Sequence, residues 1–465
     1  MEYDYDLVVL GAGPGGYVGA IRASQLGLKT CVIEKNKVGG VCLNIGCIPS
    51  KSLIHQAEIF RNTKGLERMG VSVDTSTLDY SKVQEESRKA ADTLSKGVQY
   101  LLKKNKIDLV EGEGVITEEN EVTVTNGDRE EKKITGANIL IATGSSPKNI
   151  PGFDYDGERI INSNDALMMT GLPENMIILG AGAIGCEFAH IMNSFGVQIT
   201  IVEMLDQILP NEDPEAASVL SRSFKKRKIK MHTSAKASNP RKEGGKVLLD
   251  VETKKGLQTI EADKLLVVVG RGPNTGNIGL EKMGISLERG FVKVGDYYHT
   301  GIGSIYAVGD IVSSPLLAHV ATKEAEIAVE HMAGVGEEKR IDPASIPAAV
   351  YTEPEVAGFG LTQEQAEEQG LKAESASFPY RGAGKSVAIE KTDGMVKITY
   401  DFETKKIIGG RIVGAEATDL IHELLLAANA GLKTNDISRM IHAHPTLSEA
   451  VMEAARAAEG WVIHA

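Results

Sequence analysis

Residues 6–34, DLVVLGAGPGGYVGAIRASQLGLKTCVIE, decide the fold, because the pattern returns at residues 176–203 as MIILGAGAIGCEFAHIMNSFGVQITIVE. Each copy predicts an apolar strand, a GxGxxG turn, a helix, a second strand and a terminal glutamate. The glutamate follows the first glycine by the same 23 residues in both copies. A lone GxGxxG is weak evidence, but two copies in this context predict two dinucleotide-binding units.

Each glycine of the pattern has a physical task. The first permits a tight turn from strand to helix, the second lets a pyrophosphate approach the backbone, and the third lets helix and strand pack closely. The phosphate then lies on free N–H groups at a helix N-terminus, and the glutamate accepts hydrogen bonds from a ribose hydroxyl. The predicted nucleotide contacts are Gly11, Gly13, Gly16 and Glu34 in the first copy and Gly180, Gly182, Gly185 and Glu203 in the second.

Glu203 also indicates which nucleotide the second copy takes. Its carboxylate would repel a 2′-phosphate, and VEMLDQ at 202–207 contains no arginine. The second site is therefore predicted to bind NAD rather than NADP.

Length and charge limit the class of protein. A chain of 465 residues can form two to four domains, and a net charge of -12 argues against a nucleic-acid surface while suiting a basic protein partner. The start MEYDYD resembles no export signal, and no apolar run approaches the ~20 residues of a membrane helix. We expect a cytoplasmic protein without membrane or nucleic-acid contacts, and we interpret the Lys/Arg cluster at 222–230 as a solvated face.

Two further segments fit a nucleotide site. ILIATGSSP at 139–147 predicts a buried strand ending in a glycine turn, and SIYAVGDI at 304–311 predicts another. A carboxylate at such a strand end can bind polyol hydroxyls, although each segment taken alone is equally well an ordinary strand and turn. The candidates are Thr143, Gly144, Ser145, Gly309 and Asp310.

The stretch GGVCLNIGCIPSK at 39–51 holds Cys42 and Cys47, two of only four cysteines. Residues five apart on a regular helix differ by about 140° in direction and about 7.5 Å in rise. A disulfide between them therefore requires a distorted turn, and such a bond is labile and typical of catalysis. A redox pair is favoured over two alternatives, a metal site and two inert thiols. A metal site would lack further ligands nearby, because His55 is isolated. Cys31 and Cys186 are interpreted as core residues.

The assembled motifs resemble the flavoprotein pyridine nucleotide-disulfide oxidoreductases along essentially the whole chain. The motifs are GAGPGGY, GGVCLNIGCIPSK, ATGSSP, GAGAIGCEFA, VGRGPNT, YAVGDI, LAHVA and IHAHPTLSE. NIGCIPSK resembles the members that oxidise dihydrolipoamide more than the glutathione reductases, and the C-terminal cysteines of mercuric reductases do not occur after Cys186. The departures are Val41, where the family usually has threonine, and Cys186, at a variable position.

The resemblance implies roles for the residues around the cysteines. Cys42 would be the interchange thiol and Cys47 the thiol facing the flavin of FAD. Lys51 and Glu187 would form a pair beside the flavin, although either could be a charge on a helix surface. A helix starting near Ala318 would direct its N–H groups at the flavin.

The resemblance makes His444 the catalytic base and Glu449 its orienting partner. Two alternatives are that Glu449 only caps a helix, since Thr446-x-x-Glu449 is a capping-box pattern, and that His442 is the working imidazole. Arg271 is either near the nicotinamide nucleotide or part of a structural ion pair. Gly114 and Gly270 complete the predicted nucleotide contacts, and no metal site is predicted.

The sequence also predicts elements outside the two nucleotide patterns. They are a helix from about Pro49, hairpins at Asn126-Gly127 and Gly244-Gly245, and a basic helix near SFKKRKIK at 223–230.

The expected fold is α/β, with two Rossmann-like dinucleotide-binding domains and a C-terminal α+β dimerisation domain. The predicted boundaries are 1–148 for FAD binding, 149–271 for NAD binding, 272–342 for a central domain completing the FAD site, and 343–465 for the interface. The implied enzyme is a homodimer that oxidises protein-bound dihydrolipoamide and reduces NAD+. Its partners would be lipoyl domains and the acyltransferase core of 2-oxoacid dehydrogenase complexes, or the glycine-cleavage lipoyl protein. The alternatives are an FAD-dependent reductase of another disulfide and a scaffold subunit that retains the fold.

Overall fold

The computed structural model of the chain describes residues 2–127 and 131–464. The helices within these ranges are α1 (Pro14–Gln25), α2 (Gly40–Ile45), α3 (Cys47–Glu67), α4 (Tyr80–Lys104), α5 (Ser163–Met168), α6 (Ala183–Ser194), α7 (Pro214–Lys226), α8 (Ala318–Met332), α9 (Gln363–Glu368), α10 (Gly384–Ala388), α11 (Ala417–Asn429), α12 (Thr434–Ser438) and α13 (Glu449–Ala458). None of these helices has both the length and the apolar character needed to cross a membrane.

Among the described residues the strands form four sheets and two short two-stranded ribbons. They are β1 (Tyr5–Leu10), β2 (Thr30–Glu34), β3 (Asp108–Glu111), β4 (Glu113–Glu118), β5 (Glu121–Thr125), β6 (Lys132–Ile141), β7 (Ser145–Pro147), β8 (Ile160–Ile161), β9 (Asn175–Leu179), β10 (Gln198–Val202), β11 (Lys230–His232), β12 (Lys236–Glu243), β13 (Lys246–Thr253), β14 (Gly256–Ala262), β15 (Lys264–Val267), β16 (Arg271–Pro273), β17 (Leu287–Glu288), β18 (Phe291–Val292), β19 (Ile305–Ala307), β20 (Ala348–Val350), β21 (Glu355–Gly360), β22 (Ala373–Pro379), β23 (Met395–Asp401) and β24 (Ile407–Gly414).

The first sheet carries the first copy of the sequence pattern. Its parallel part runs in the order β3-β2-β1-β6-β19, and β5 and β4 extend β6 in antiparallel pairing. Helix α1 packs against α8, so a segment some 300 residues along the chain completes this unit. Strand β1 is buried on both faces because α/β sheets are covered by helices on both sides.

The second sheet repeats this arrangement. Its strands are parallel in the order β11-β10-β9-β15-β8, with α6 connecting β9 to β10. A three-stranded antiparallel sheet, β12-β13-β14, packs beside it. Gly244 and Gly245 form the two-residue hairpin between β12 and β13, with φ of +56° and +83°, which confirms the predicted turn.

The C-terminal part of the chain forms an antiparallel sheet covered by helices. Its order is β20-β21-β24-β23-β22, and α11 and α13 pack on it around Phe378, Tyr380, Ile398 and Leu424. Two dinucleotide-type units followed by this α+β unit confirm the predicted fold class. The four domain boundaries drawn from the sequence stay a prediction.

Some predicted elements differ in detail from the structure. Helix α3 begins at Cys47 rather than near Pro49, because Pro49 occupies the first turn, where its missing N–H costs no hydrogen bond. The basic helix ends at Lys226, and β11 begins at Lys230, so the cluster at 222–230 spans a helix end and a strand. The predicted Asn126-Gly127 hairpin joins paired strands β5 and β6, but its connection at 128–130 lies outside the described residues.

The third glycine of each pattern has the closest backbone contact. A Cβ at Gly16 would lie 1.8 Å from the carbonyl oxygen of Gly11, and one at Gly185 would lie 2.0 Å from that of Gly180. Neither carbonyl can move far, because Gly11 and Gly180 sit at the strand-to-helix turns with φ of +98° and +105°. The packing of helix on strand in both units therefore requires glycine at these positions.

We expect Gly16→Ala to destabilise the FAD-bound protein by about 1–3 kcal/mol or more, because the added methyl group has no space. Gly97→Ala is the matched control, since Gly97 is also helical, in α4, and a Cβ there meets no atom within 4 Å in the described chain. That change should stabilise by about 0.5–1 kcal/mol. Urea unfolding midpoints measure both effects, and an equal midpoint for the two variants would contradict this account of Gly16.

Candidate active site

The two nucleotide-type turns have the same hydrogen-bond geometry. Glu34, at the end of β2, accepts the N–H groups of Ala12 at 2.7 Å and Asn36 at 2.8 Å. Glu203, just after β10, accepts those of Ala181 at 2.7 Å and Leu205 at 2.9 Å. Each carboxylate is thus held at a strand's carboxyl end, where a ribose would be recognised.

The space above the second glycine of each turn fits a phosphate. A Cβ at Gly13 would meet only the Cα atom of Gly40, at 4.0 Å, and one at Gly182 would meet no atom of the described chain within 4 Å. The first turns of α1 and α6 contain no acidic residue, so their N–H groups are available to an anion. Both cradles therefore fit the pyrophosphate of a dinucleotide.

The two cysteines flank a break between helices. Gly46 separates α2 from α3, and a Cβ there would lie 2.9 Å from the carbonyl oxygen of Val41. This close approach folds α2 back on α3 and brings Cys47 towards Cys42, the distorted turn that the spacing predicted. Both cysteines are free thiols in this structure. The same segment touches the first nucleotide turn, since a Cβ at Gly40 would lie 2.7 Å from the Cα atom of Gly13.

The two thiols differ in acidity. The pKa of the Cys47 thiol is lowered to about 7, because Cys42 hydrogen-bonds to it and the positive charge of Lys51 is close. The same hydrogen bond, together with burial, raises the pKa of the Cys42 thiol far above its usual range. Cys47 is therefore the thiolate of the pair near neutral pH. Cys31 and Cys186 lie in the core, where burial raises the pKa of each thiol.

Lys51 and Glu187 form the predicted pair. The Nζ atom of Lys51 lies 3.0 Å from both carboxylate oxygens of Glu187, and Glu187 is buried. A third residue fixes the arrangement, because the backbone N–H of Tyr351 donates to Glu187 at 3.1 Å while its ring lies 4.4 Å from Nζ. Sequence reasoning missed Tyr351, which lies 164 residues from Glu187 and belongs to none of the motifs.

Ser145, Asp310 and Arg271 form a second cluster. Ser145 donates to Asp310, and Arg271 donates to the hydroxyl of Ser145 at 2.7 Å and to its carbonyl at 2.6 Å. Arg271 also lies 4.0 Å from Asp310, which is the ion-pair alternative for this residue, while a contact with the nicotinamide nucleotide stays a prediction. Asn274, which sequence reasoning missed, joins this cluster to Thr143 by two hydrogen bonds of 2.9 Å each. The hydroxyl of Thr143 donates to the carbonyl oxygen of Asn274, and the side-chain amide of Asn274 donates to the carbonyl oxygen of Thr143.

Helix α8 starts at Ala318, as predicted, with no side-chain cap and no acidic residue in its first turn. Its N–H groups are therefore available to a negative charge. From the same helix the buried Glu324 accepts the N–H of Gly309 at 2.6 Å and so holds the turn that carries Asp310. Burial raises the pKa of Glu324 to about 7.

The remaining nucleotide candidates lie in different surroundings. Gly144 and Gly270 occupy open turns with φ of +70° and +113°. Gly114, in β4, packs against core side chains, since a Cβ there would lie 2.7 Å from Leu10. Its contact with a nucleotide stays a prediction. The described residues contain no group of three or more potential metal ligands.

His444 and Glu449 are paired through their side chains. The Nδ1 atom of His444 lies 3.0 Å from Oε1 of Glu449, and the other oxygen of Glu449 accepts the N–H of Thr446 at 2.9 Å. Glu449 therefore holds the backbone of Thr446 with one oxygen and His444 with the other, while Ser448, the N-cap of α13, makes no side-chain cap hydrogen bond, so the capping box is not formed. The His444 side chain is 76% exposed, which leaves its Nε2 accessible.

His442 is not arranged as a base. Its side chain is only 3% exposed, and its Nε2 atom lies 2.8 Å from Oε1 of Glu423. Its Nδ1 atom lies 3.3 Å from the carbonyl oxygen of Met440. Both ring nitrogens are thus engaged, and hydrogen bonding to Glu423 raises the pKa of His442. The geometry favours His444 over His442.

Comparisons with known proteins cover nearly the whole chain. Residues 5–325 match the family described as pyridine nucleotide-disulphide oxidoreductase, and residues 346–455 match its dimerisation domain. A dihydrolipoyl dehydrogenase of Bacillus subtilis is 43% identical, over 99% of this chain and 97% of its own. The crystal structure of LpdA from Mycobacterium tuberculosis has a TM-score of 0.90 at 29% identity, covering 97% of this chain and 98% of its own. The HOCl-induced flavoprotein disulfide reductase RclA of Escherichia coli, as its Cu(II) complex, has a TM-score of 0.87 at 25% identity, covering 98% and 99%.

We expect the Cys47 thiolate of the reduced protein to form with a midpoint near pH 7, and Cys42→Ala to move that midpoint upward. The substitution removes the hydrogen bond that stabilises the thiolate, so the thiolate becomes less stable relative to the protonated thiol. The measurement is a pH titration of thiolate ultraviolet absorbance, with Cys47→Ser as the reference to subtract. A midpoint that stays or falls in Cys42→Ala would show that Cys42 does not stabilise the thiolate.

Proposed function

The chain belongs to the pyridine nucleotide-disulphide oxidoreductase family, and from this we propose that it oxidises protein-bound dihydrolipoamide to lipoamide while reducing NAD+ to NADH. It is an enzyme, an FAD-dependent and NAD-linked disulfide oxidoreductase. The relatives named dihydrolipoyl dehydrogenase, at 40–43% identity over the full chain, support this substrate over another disulfide.

One observation carries the proposal: the segment with both cysteines rests directly on the first nucleotide turn, through Gly40 and Gly13. We assign FAD to this first cradle, with Gly11, Gly13, Gly16 and Glu34 as its contacts. NAD is assigned to the second cradle, where Glu203 would exclude a 2′-phosphate. This contact supports a position for Cys47, the first residue of α3, beside the cradle assigned to FAD, and Lys51 follows one helical turn later.

The proposed exchange is a pair of displacements at sulfur. In the oxidised enzyme Cys42 and Cys47 form a disulfide, and a substrate thiolate attacks Sγ of Cys42, so the bond to Cys47 breaks and Cys47 leaves as a thiolate. The second substrate thiol then attacks the mixed disulfide and releases Cys42. The substrate loses two electrons as its own disulfide forms, and the cysteine pair gains them. The lowered pKa of Cys47 makes it the better leaving group of the two.

Lys51 and Glu187 form a charge pair next to Cys47. The positive charge of Lys51 stabilises the thiolate, and Glu187 holds Lys51 in place together with Tyr351. When bound, FAD accepts the two electrons and passes a hydride to NAD+. Glu187 follows the second glycine turn directly, so we assign the pair to the region where flavin and nicotinamide meet.

We assign the catalytic base to His444, oriented by Glu449, and propose that it serves the cysteines of the other subunit. Helix α13 packs on α12, β22 and β23, whereas α3 packs on α2, α4 and α6. The exposed Nε2 of His444 and the family's dimerisation domain at 346–455 support a shared site. The base takes the proton of the attacking substrate thiol, a role that suits histidine near pH 7.

The partners follow from the substrate. We propose that the homodimer acts on lipoyl domains of a 2-oxoacid dehydrogenase complex with an acyltransferase core, or on the lipoyl protein of glycine cleavage. The cytoplasm is the proposed location.

We expect the purified enzyme to reduce NAD+ with dihydrolipoamide, and Cys47→Ser to lose about 10³-fold or more of that rate, because the leaving thiolate is gone. Absorbance of NADH measures the rate. Cys31→Ala is the matched control, since Cys31 lies in the core of β2, and it should keep most activity. Greater activity with glutathione disulfide and NADPH would instead assign the enzyme to another disulfide substrate.

We expect a hybrid dimer of His444→Gln with Cys42→Ser to regain about half of wild-type activity, although each parent is nearly inactive. If the base comes from the partner, one of the two sites in the hybrid contains both intact residues. The measurement is NAD+ reduction by differently tagged hybrids after separation from the parents.

The matched control is a hybrid of the double variant His444→Gln/Cys42→Ser with wild type. A shared site makes that hybrid nearly inactive, because each of its two sites lacks one residue. A base from the same chain reverses both outcomes, with the first hybrid inactive and the control half active.

A further inference from the structure

A cavity of about 600 Å³ lies away from the residues assigned to catalysis, and we call it the basic cavity. It lies at the C-terminal ends of α3, α6 and α7. Its charged lining consists of four cations, Arg61, Lys64, Arg68 and Arg227, without a carboxylate, and Asn193 and Ser194 add neutral polar groups. Its volume is that of a small-ligand site.

The basic residues come from segments far apart in the chain. Arg61, Lys64 and Arg68 lie along one face of α3, at helical spacings of three and four. Arg227 belongs to the Lys/Arg cluster at 222–230, which we interpreted from the sequence as a solvated face. The structure corrects that interpretation for Arg227, which lines the cavity and is half-buried.

The positive charge of the basic cavity is only partly compensated. Arg61 pairs with Glu353, but Lys391 pairs with the same carboxylate. Arg68 pairs with Glu390 at 2.6 Å, and both side chains are exposed, so this bridge contributes little. Two further cations, Lys64 on α3 and Arg227 at the end of α7, have no carboxylate within 4 Å among the described residues.

The guanidinium N–H groups of Arg227 donate to neutral acceptors. They are Oδ1 of Asn193 at 3.1 Å, the carbonyl oxygen of His190 and Oγ of Ser194 at 3.0 Å each, and Nδ1 of the buried His190 at 2.7 Å. These contacts hold the guanidinium at the end of α6 without neutralising it. Burial and the positive charge of Arg61 lower the pKa of Arg227, and the negative charge of Glu353 offsets this only in part.

We propose that the basic cavity binds a small, multiply charged phosphate anion, either inorganic phosphate or the phosphate of a nucleotide-sized monoester. Phosphate matches the chemistry of the lining, because arginine forks bind its oxygens in pairs and lysine adds a mobile charge. In a chain of net charge -12, two distant basic segments that meet around a cavity indicate selection for an anion rather than general solubility.

The converging helix ends are the competing explanation for these cations. Carbonyl groups at a helix C-terminus attract lysine and arginine without any ligand. That account suits Arg227, which donates to the His190 carbonyl. Arg61 lies almost two turns before the end of α3 and pairs with Glu353, so this account leaves Lys64 as the lining cation that has neither a carboxylate nor a carbonyl partner among the hydrogen bonds and ion pairs of the described residues.

The test is calorimetric titration of the FAD-bound dimer with inorganic phosphate and, separately, with AMP. Saturating NAD+ fills the second nucleotide cradle, and constant ionic strength removes general screening. Lys64→Gln/Arg68→Gln should weaken binding about tenfold or more, since both residues are exposed and serve the cavity. Binding of phosphate alone would identify the inorganic ion, and tighter binding of AMP would identify a monoester.

The matched control is Lys103→Gln/Lys104→Gln, which removes the same charge from the last turn of α4. It should bind both probes like the wild type, and all three proteins should have equal FAD content and equal melting temperatures without ligand. The proposal is overturned if wild type shows no saturable binding of either probe, or if the cavity variant and the control variant bind equally. NAD+ reduction in the absence of phosphate should be unchanged in both variants, so failure here leaves the proposed function intact.

Discussion

The contact between Gly13 and Gly40 is the constraint on which the rest of the site depends. A Cβ at Gly40 would lie 2.7 Å from the Cα atom of Gly13 and would clash with it, so the two loops meet at a distance that requires glycine at position 40. That approach sets the start of α2, and the turn at Gly46 then sets the start of α3. Once α3 is placed, its first turn carries Cys47 and its second carries Lys51 towards Glu187. A nucleotide turn and a thiol pair thus come together through the absence of a side chain at Gly40.

The carboxylates of the site share one mode of attachment. Glu34, Glu187, Glu203 and Glu449 each accept a backbone N–H, and Glu187 and Glu449 also bind Lys51 and His444, the side chains that we assign to catalysis. A carboxylate held by the main chain cannot rotate freely, so its partner meets a fixed acceptor. Little reorganisation is then needed when charge moves, which is how a preorganised site lowers a barrier. The same bonds tie the functional groups to strand ends and helix starts, the most rigid parts of the fold.

Local patterns predicted much of this architecture. The duplicated glycine turn, the Gly244-Gly245 hairpin and the start of α8 at Ala318 are each set by residues within a few positions, so the sequence shows them directly. The pairing of Lys51 with Glu187 was accessible only through the family resemblance. Tyr351 and Glu324 could not be predicted, because each acts through a contact with a distant segment and neither belongs to any of the sequence motifs. Asn274 lies within the motif VGRGPNT, but its bond to Thr143 also joins distant segments and was not singled out. The role of Arg227 was misjudged for the same reason, since a basic run does not reveal which of its members turns inward.

The two cradles differ in what lies above them, and this difference has a consequence for how long a bound dinucleotide stays. The Gly39–Gly40 loop lies beside the first cradle, since the Cα atom of Gly40 is 4.0 Å from the position of a Cβ at Gly13. A dinucleotide held there would have the cysteine segment as a neighbour. The second is open above Gly182, where no described atom lies within 4 Å of the position of a Cβ. A dinucleotide in the first cradle would dissociate slowly where the cysteine segment has to move, whereas one in the second would exchange at a rate set by the strength of its contacts. Two turns almost identical in hydrogen bonding can thus differ in how long they hold a ligand.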